Sequence, residues 1–317
     1  MKKFIAVSIG TLLFSTALFA AGQTQGQQAR VRMATGGNTG TYYAFGSAVG
    51  QILTEKTGIQ IPIQSTGASK ANIQLIAGGE VELAIVQNDV MDYAYRGTDL
   101  FTGEGTQAFS AMAALYAEVC QIIASPGIRS ISDLKGKRVS VGDAGSGVEF
   151  NAKQILEAYG VTFNDIDKQN LSFGASADAF RDGKIDAFFC TAGAPTTAVV
   201  DLAISKEITL LEIDDVHATA LITQFPFYTK FPVPADSYRG VTRDIQTVAV
   251  KATFIVSNKL SEDIVYRLTK NLIESKAQIQ AAHAKGAELS SDYAVGGISV
   301  PFHPGAAKYF REIGVIK

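Results

Sequence analysis

Ser65-Thr66-Gly67-Ala68-Ser69 returns as Ser172-Phe173-Gly174-Ala175-Ser176, an S-x-G-A-S repeated at an offset of 107. After each copy the pattern predicts a helix ending in Gly and then an acidic, apolar strand. These strands are Gly79-Glu80-Val81-Glu82-Leu83-Ala84-Ile85-Val86 and Gly183-Lys184-Ile185-Asp186-Ala187-Phe188-Phe189, at an offset of 104. Upstream, Arg30-Val31-Arg32-Met33-Ala34 and Val139-Ser140-Val141 form a third matched pair, at an offset of 108. Each leads through a Gly-rich loop into an apolar-periodic helix, over residues 41–56 with Gly58 beyond it and over 148–159 closed by Gly160. One match alone would be weak, but the ordered set reads as two similar α/β lobes. Strands alternating with helices imply mainly parallel sheets with helices on both faces.

Outside the repeat, residues 225–240 carry Pro226, Pro232 and Pro234 and read as a surface connection. A strong strand follows over 248–256. Ser261 then caps a helix that starts with Glu262 and Asp263 and ends at Gly286, and Pro304 opens a short last one.

The 317 residues suit two domains, and 47% apolar with 18% charged residues is an ordinary globular composition. A formal charge of −2, from 28 basic against 30 acidic residues, lacks the dense basic face that nucleic acid requires. At the N-terminus Lys2 and Lys3 precede an uncharged apolar run over 4–19, then Ala20, Ala21 and Gly22, then a polar stretch. That order is a cleavable secretory signal over 1–22, and the run is short for a membrane anchor. The expected mature protein is exported, periplasmic and about 295 residues long. Cys120 and Cys190 both lie in apolar, strand-like runs. Export permits a disulfide between them, but two buried free thiols is the favoured reading.

In parallel α/β sheets ligands sit where strands hand over to helix N-termini. Four polar hand-overs stand out, at residues 35–42, 87–89, 143–147 and 191–195, two from each lobe and none with Lys or Arg. A bound anion would be held there by backbone N–H groups, hydroxyls and amides. For each loop a purely structural role competes: Gly36, Gly37 and Gly40 as turns, Asn38, Thr39 and Thr41 as caps. Of Tyr42 and Tyr43, one is expected near the cleft. Enzyme motifs are missing: no phosphate loop, no dinucleotide fingerprint, no G-x-S-x-G elbow, no H-E-x-x-H and no C-x-x-C. His217, His283 and His303 lie far from the polar loops in sequence, so Ser146 has no evident partner base.

Ala34-Thr35-Gly36-Gly37-Asn38-Thr39-Gly40-Thr41-Tyr42-Tyr43 resembles the signature of the TAXI family of TRAP-transporter-associated solute-binding proteins. So do 65–69, Gln87-Asn88-Asp89, Ser132-Asp133-Leu134-Lys135-Gly136-Lys137, Tyr238-Arg239-Gly240, 246–250 and Pro301-Phe302-His303-Pro304-Gly305-Ala306. The resemblance covers essentially the whole expected mature chain. It implies a two-lobed periplasmic binding protein of type II that delivers solute to a membrane TRAP subunit. Crossovers near Glu118 and Val256 would give one lobe of 23–118 plus 256–317 and another of 119–255. It implies small carboxylates as ligands, glutamate, glutamine or 2-oxoglutarate-like, and no cofactor or metal. The candidate ligand-binding set is Asn38, Thr39, Thr41, Tyr42, Ser65, Gln87, Gly145, Ser146, Gly147, Thr191 and Gly193. Val148 stands where such proteins often carry Thr, and Cys190 where a larger residue is usual. An exported enzyme acting on a small carboxylate and a surface antigen are the competing classes.

Overall fold

The structure, a computed structural model, describes residues 29–317. The expected signal segment lies outside the described residues. The first half runs β1 (Met33–Ala34), α1 (Thr41–Thr57), β2 (Ile63–Gln64), α2 (Ser69–Gly78), β3 (Leu83–Gln87) and α3 (Asn88–Arg96). The long strand β4 (Phe109–Ala124) leads to β5 (Arg138–Ser140), α4 (Gly147–Ala158), β6 (Asp167–Gln169), α5 (Phe173–Arg181) and β7 (Ala187–Ala192). Then come α6 (Thr197–Ser205), β8 (Thr209–Leu210), α7 (Asp215–Gln224) and β9 (Thr229–Val233). A second long strand, β10 (Ile245–Ser257), precedes α8 (Glu262–Glu274), α9 (Lys276–Ala282), α10 (Ser291–Val295) and α11 (Pro304–Glu312). Among the described residues, no helix is long and apolar enough to cross a membrane.

The strands join in the order β2-β1-β3-β10-β4-β7-β5-β6. The triplets β2-β1-β3 and β6-β5-β7 are parallel and repeat one topology, so the sequence repeat is also a repeat of pairing. Even the anchoring ion pair recurs. Arg32 meets Glu82 and Arg138 meets Asp186, each through both its backbone N–H and its guanidinium. Between the triplets, β4 and β10 pair antiparallel with each other. β10 lies against β9 from Ile245 to Ala249 and against β3 from Ala252 to Val256. β4 takes up β7 from Val119. The exchange of partners in β10 therefore falls around Val250–Ala252, upstream of Val256.

Strand β3 is buried throughout, as are β7 and nearly all of β4, which requires cover on both faces. Alternate residues feed opposite cores. Leu83 and Ile85 join one cluster with α1, α8 and α11, while Ala84 and Val86 join another with α2 and α3. In the second half Cys120 and Ile122 pack with α4 and α7, and Val119 and Ile123 with α6.

Two local expectations are corrected. Residues 225–240 are not only a connection, since β9 lies within them; it carries Pro232 where only β10 flanks it, which an edge position tolerates. The last long helix breaks at Ser275 and stops at Ala282. Gly286 sits in the turn beyond, so close to α9 that a Cβ there would lie 2.5 Å from the Gln280 nitrogen.

Cys120 and Cys190 are both free and buried. Their strands are adjacent, but the register pairs Cys120 with Thr191, which sends the two thiols to opposite faces. A disulfide would need one strand turned over. We expect the native, unreduced protein to show no reactive thiol and both thiols on denaturation; a disulfide-linked peptide in a non-reducing digest would contradict this pairing.

Candidate functional site

Where the parallel strands of both halves end, their loops enclose a cleft with a cavity of about 50 Å³. That is room for a few waters at roughly 10–15 Å³ each, so the two halves lie close together. The lining comes from Gly36, Gly37, residues 39–42, Ala68, Ser69, Gln87, Glu118, Asp143, 146–148, Ser172, Phe173, Thr191 and Ala192. No Lys, Arg or His is among them.

Side chains behind the cleft hold these loops in place. The Thr35 carbonyl accepts from Asn72 Nδ2 at 2.6 Å and from the Thr66 hydroxyl at 2.8 Å, pinning the first loop to α2. Ser69 Oγ accepts from the Gln87 N–H at 3.1 Å and so fixes the end of β3. Ser146 caps α4 by accepting from Glu149 N–H at 3.3 Å, while the Glu149 carboxylate accepts from Gly145 N–H at 2.7 Å. Tyr238, Gln121 and Thr196 form a buried network under the fourth loop, and Thr196 Oγ1 donates to the Gly193 carbonyl at 3.0 Å.

The halves touch across the cleft. Thr41 Oγ1 donates to the Gly193 carbonyl at 3.0 Å. Thr39 packs on Gly174, and Phe173 on Gly40. Gly147 has Gln87 directly over it: a Cβ there would lie 2.0 Å from Gln87 Oε1, so only glycine fits without moving that side chain. Behind the cleft Asn151 Nδ2 donates to Asp89 Oδ2 at 3.2 Å and Gln154 Nε2 to the Tyr93 hydroxyl at 3.2 Å.

Five helices, α1, α2, α3, α4 and α5, begin at or beside the lining. Each N-terminus carries about half a positive charge, so their sum favours an anion. Two carboxyl groups face the same space. Burial pushes Glu118 up to about 8, although Tyr42 and Gln87 lean toward it and oppose the rise. Burial also raises Asp143, which is half-exposed. The Tyr42 hydroxyl, Gln87 Oε1 and Glu118 Oε1 are buried without a hydrogen-bond partner.

Of the sequence-derived candidates, Thr39, Thr41, Tyr42, Gln87, Ser146, Gly147 and Thr191 line the cleft together. Gly193 lies just outside, bonded to Thr41. Gly145 sits behind the lip at φ +73°, beside Lys70. Asn38 is exposed on the loop. Ser65 is exposed as well and donates to the Gly36 carbonyl at 2.9 Å. Ser69, Asp143, Ser172 and Phe173 also line the cleft though outside the candidate set, Asp143 from the 143–147 hand-over and the others from the S-x-G-A-S repeats, and sequence reasoning missed Glu118 as a lining residue. The signal for Glu118 was a lone carboxylate inside the apolar run Leu115 to Ile123. The histidines lie elsewhere: His217 pairs with Asp214, His283 meets the edge of Phe45, and His303 caps α11.

A sequence profile of known proteins matches residues 33–314, and that decides the family. The chain belongs to the NMT1-like family. In fold this NMT1-like protein is similar to a protein from Bordetella bronchiseptica RB50, with a TM-score of 0.57 and 15% identity over 91% of this chain and 90% of that one. It is similar also to the alkanesulfonate-binding protein SsuA of Xanthomonas axonopodis pv. citri, at 0.52 and 15% over 89% and 83%. A ligand-binding component of an ABC-type import system from Staphylococcus aureus follows, at 0.52 and 9% over 90% and 91%. Such identities speak for the shared α/β binding-protein fold alone.

Burial of Glu118 has a measurable consequence. Folding raises its pKa, so its contribution to stability is complete below the ordinary carboxyl range and is lost as pH rises to about 8. Burial lowers His283 and His303, which act oppositely but only below about pH 6.5. Between pH 6.5 and about 8 the native protein is expected to lose up to about 1.4 kcal/mol per pH unit relative to Glu118→Gln. Parallel melting curves for the two proteins across that range would contradict it.

Proposed function

We propose that the protein is the periplasmic solute receptor of a TRAP-type transporter, capturing a small carboxylate between its two lobes and delivering it to the membrane subunit. The observation that carries this reading is the convergence of five helix N-termini, from both halves, on one cleft without a Lys or Arg in its lining. Membership of the NMT1-like family and the binding-protein fold agree with it. The TRAP assignment rests on the TAXI resemblance of the loops, and export on the signal-like segment 1–22.

On this reading one lobe comprises residues 29–118 with those from 252, and the other 119–251; β4 and β10 form the hinge. Glutamate, glutamine or a 2-oxoglutarate-like acid would place carboxylate against the ends of α1 and α4. Such a ligand touches both lobes and favours the closed form by its differential affinity.

Two outcomes are expected. A matching carboxylate at one hundred times its dissociation constant stabilises the protein by about 2.7 kcal/mol and shrinks its radius of gyration in small-angle scattering. A melting point moved only by sugars or cations would defeat the ligand class, and an unchanged radius between verified empty and saturated samples would defeat closure. Gln87→Ala weakens binding by about 1–3 kcal/mol, because a buried ligand group loses its partner. Unchanged affinity in a calorimetric titration would return Gln87 to a purely structural role.

A further inference from the structure

The floor of the cleft holds an unusual concentration of unsatisfied polar atoms. Glu118 Oε1, the Tyr42 hydroxyl and Gln87 Oε1 are all buried, all belong to lining residues, and all lack a partner. Leaving one such group unpaired costs about 1–3 kcal/mol, and among the described residues the Tyr116 hydroxyl and Asn151 Oδ1 share that state. Each of these atoms accepts a hydrogen bond, and the Tyr42 hydroxyl can donate one as well. A carboxylate can take the Tyr42 proton but brings none to Gln87 Oε1 or Glu118 Oε1. Helix N-termini surround the rim, so the site offers positive potential at its edge and hydrogen-bond acceptors at its floor.

We propose that Glu118 is the specificity-determining residue of the cleft: it selects solutes that carry a protonated amino group beside the carboxylate, with the ammonium against Glu118 and Tyr42. The inference rests on the carboxylate-receptor reading and divides its candidate ligands, favouring an amino acid over the corresponding oxo acid. The groups around Glu118 are Tyr42 from α1, Asp89 from α3, Tyr293 from α10 and Glu288 from the turn before α10, which accepts from Ala117 N–H, with Tyr116 and Cys120 on the same face of β4; Cys190 of β7 lies on the opposite face. Val250 of β10 pairs with it in register, and Asp143 shares the lining. None of these is a cation, and Lys285, buried beside Gly193, is already paired with Glu288. Among the described residues an ionised Glu118 is thus given no counter-charge, and a solute ammonium supplies one. In the empty cleft the carboxyl holds its proton at neutral pH. Binding an ammonium there releases that proton to solvent, while an oxo acid releases none.

The experiment is a calorimetric titration of the exported protein with L-glutamate and with 2-oxoglutarate, which share a carbon skeleton and differ in the amino group. It is run on the unaltered protein and on Glu118→Gln, from pH 6 to pH 9. The unaltered protein is expected to prefer glutamate, with affinity rising about tenfold per pH unit below about 8 and then levelling. Glu118→Gln is expected to weaken glutamate about 10- to 100-fold, leave 2-oxoglutarate within about threefold, and abolish the pH dependence. Equal affinity for the two acids, or a preference that survives Glu118→Gln, overturns the assignment to Glu118 and leaves the carboxylate receptor standing. Binding of neither acid, or of any other small carboxylate, overturns both. Should Glu118→Gln fail to fold, the amino-against-oxo comparison and its pH profile in the unaltered protein decide alone.

Discussion

The pairing of β4 with β10 joins the two halves of this protein into one sheet. Each strand is long enough to serve both halves. β4 is hydrogen-bonded to β10 over its first part and to β7 from Val119, and β10 passes from β9 to β3. One continuous sheet thus carries two separate pairs of cores, without a third connecting strand. The register of β10 on β4 slips at Ala252/Thr253 and again at Phe254/Ile255, on the first-half side of the exchange. Such irregularities increase local twist and turn the two halves of a sheet relative to each other. Glu118 lies within this pairing, opposite Val250, which is how a strand residue comes to form the floor of a cleft otherwise made of loops.

The interior treats its polar groups in two contrasting ways. Behind the cleft, Asp89 is fully buried, with its carboxyl pushed up to about 6 by burial. It nonetheless caps Val90 and accepts from Asn151, which continues through Tyr228 and Gln154 to Tyr93. That chain links α3 to α4 and satisfies nearly every atom, Asn151 Oδ1 excepted. At the cleft floor no comparable chain closes around Glu118. The floor thus leaves polar atoms open to whatever fills the cavity, water or solute.

Much of this was legible in the chain. The repeat is visible because each βα unit needs the same parts in the same order: a strand, a capping residue, a helix and a terminating glycine. Polar loops at strand ends are equally visible, since backbone donors gather there whatever the ligand. The misses have physical causes. The first part of β4 hid because Ala111, Ala113, Ala114 and Ala117 give it little β signal, and burial on both faces makes it a strand. Glu118 hid inside it, where sequence reasoning looks for core. Ser65 and Ser172 occupy equivalent places in the repeat yet act differently. Ser172 caps α5, whereas Ser65 bonds the first loop and α2 starts only at Ser69. The cause is Ala68, whose φ of +67° delays the helix by a few residues.

A receptor must also let go. A buried guanidinium holding a carboxylate through two charge-assisted bonds would give an attraction that survives when the halves separate, because both bonds sit on one side chain. Helix N-termini behave differently. Each contributes about 0.3–1 kcal/mol, and useful affinity needs several aimed at one point. Here α1, α2 and α3 belong to the first half and α4 and α5 to the second. Parting the halves withdraws α4 and α5 together, along with the Thr41–Gly193 bond and the seat of Gln87 on Gly147. Distributing the attraction over backbone dipoles from two bodies thus ties affinity to closure. On the receptor reading, release follows from the geometry of opening and requires no separate device.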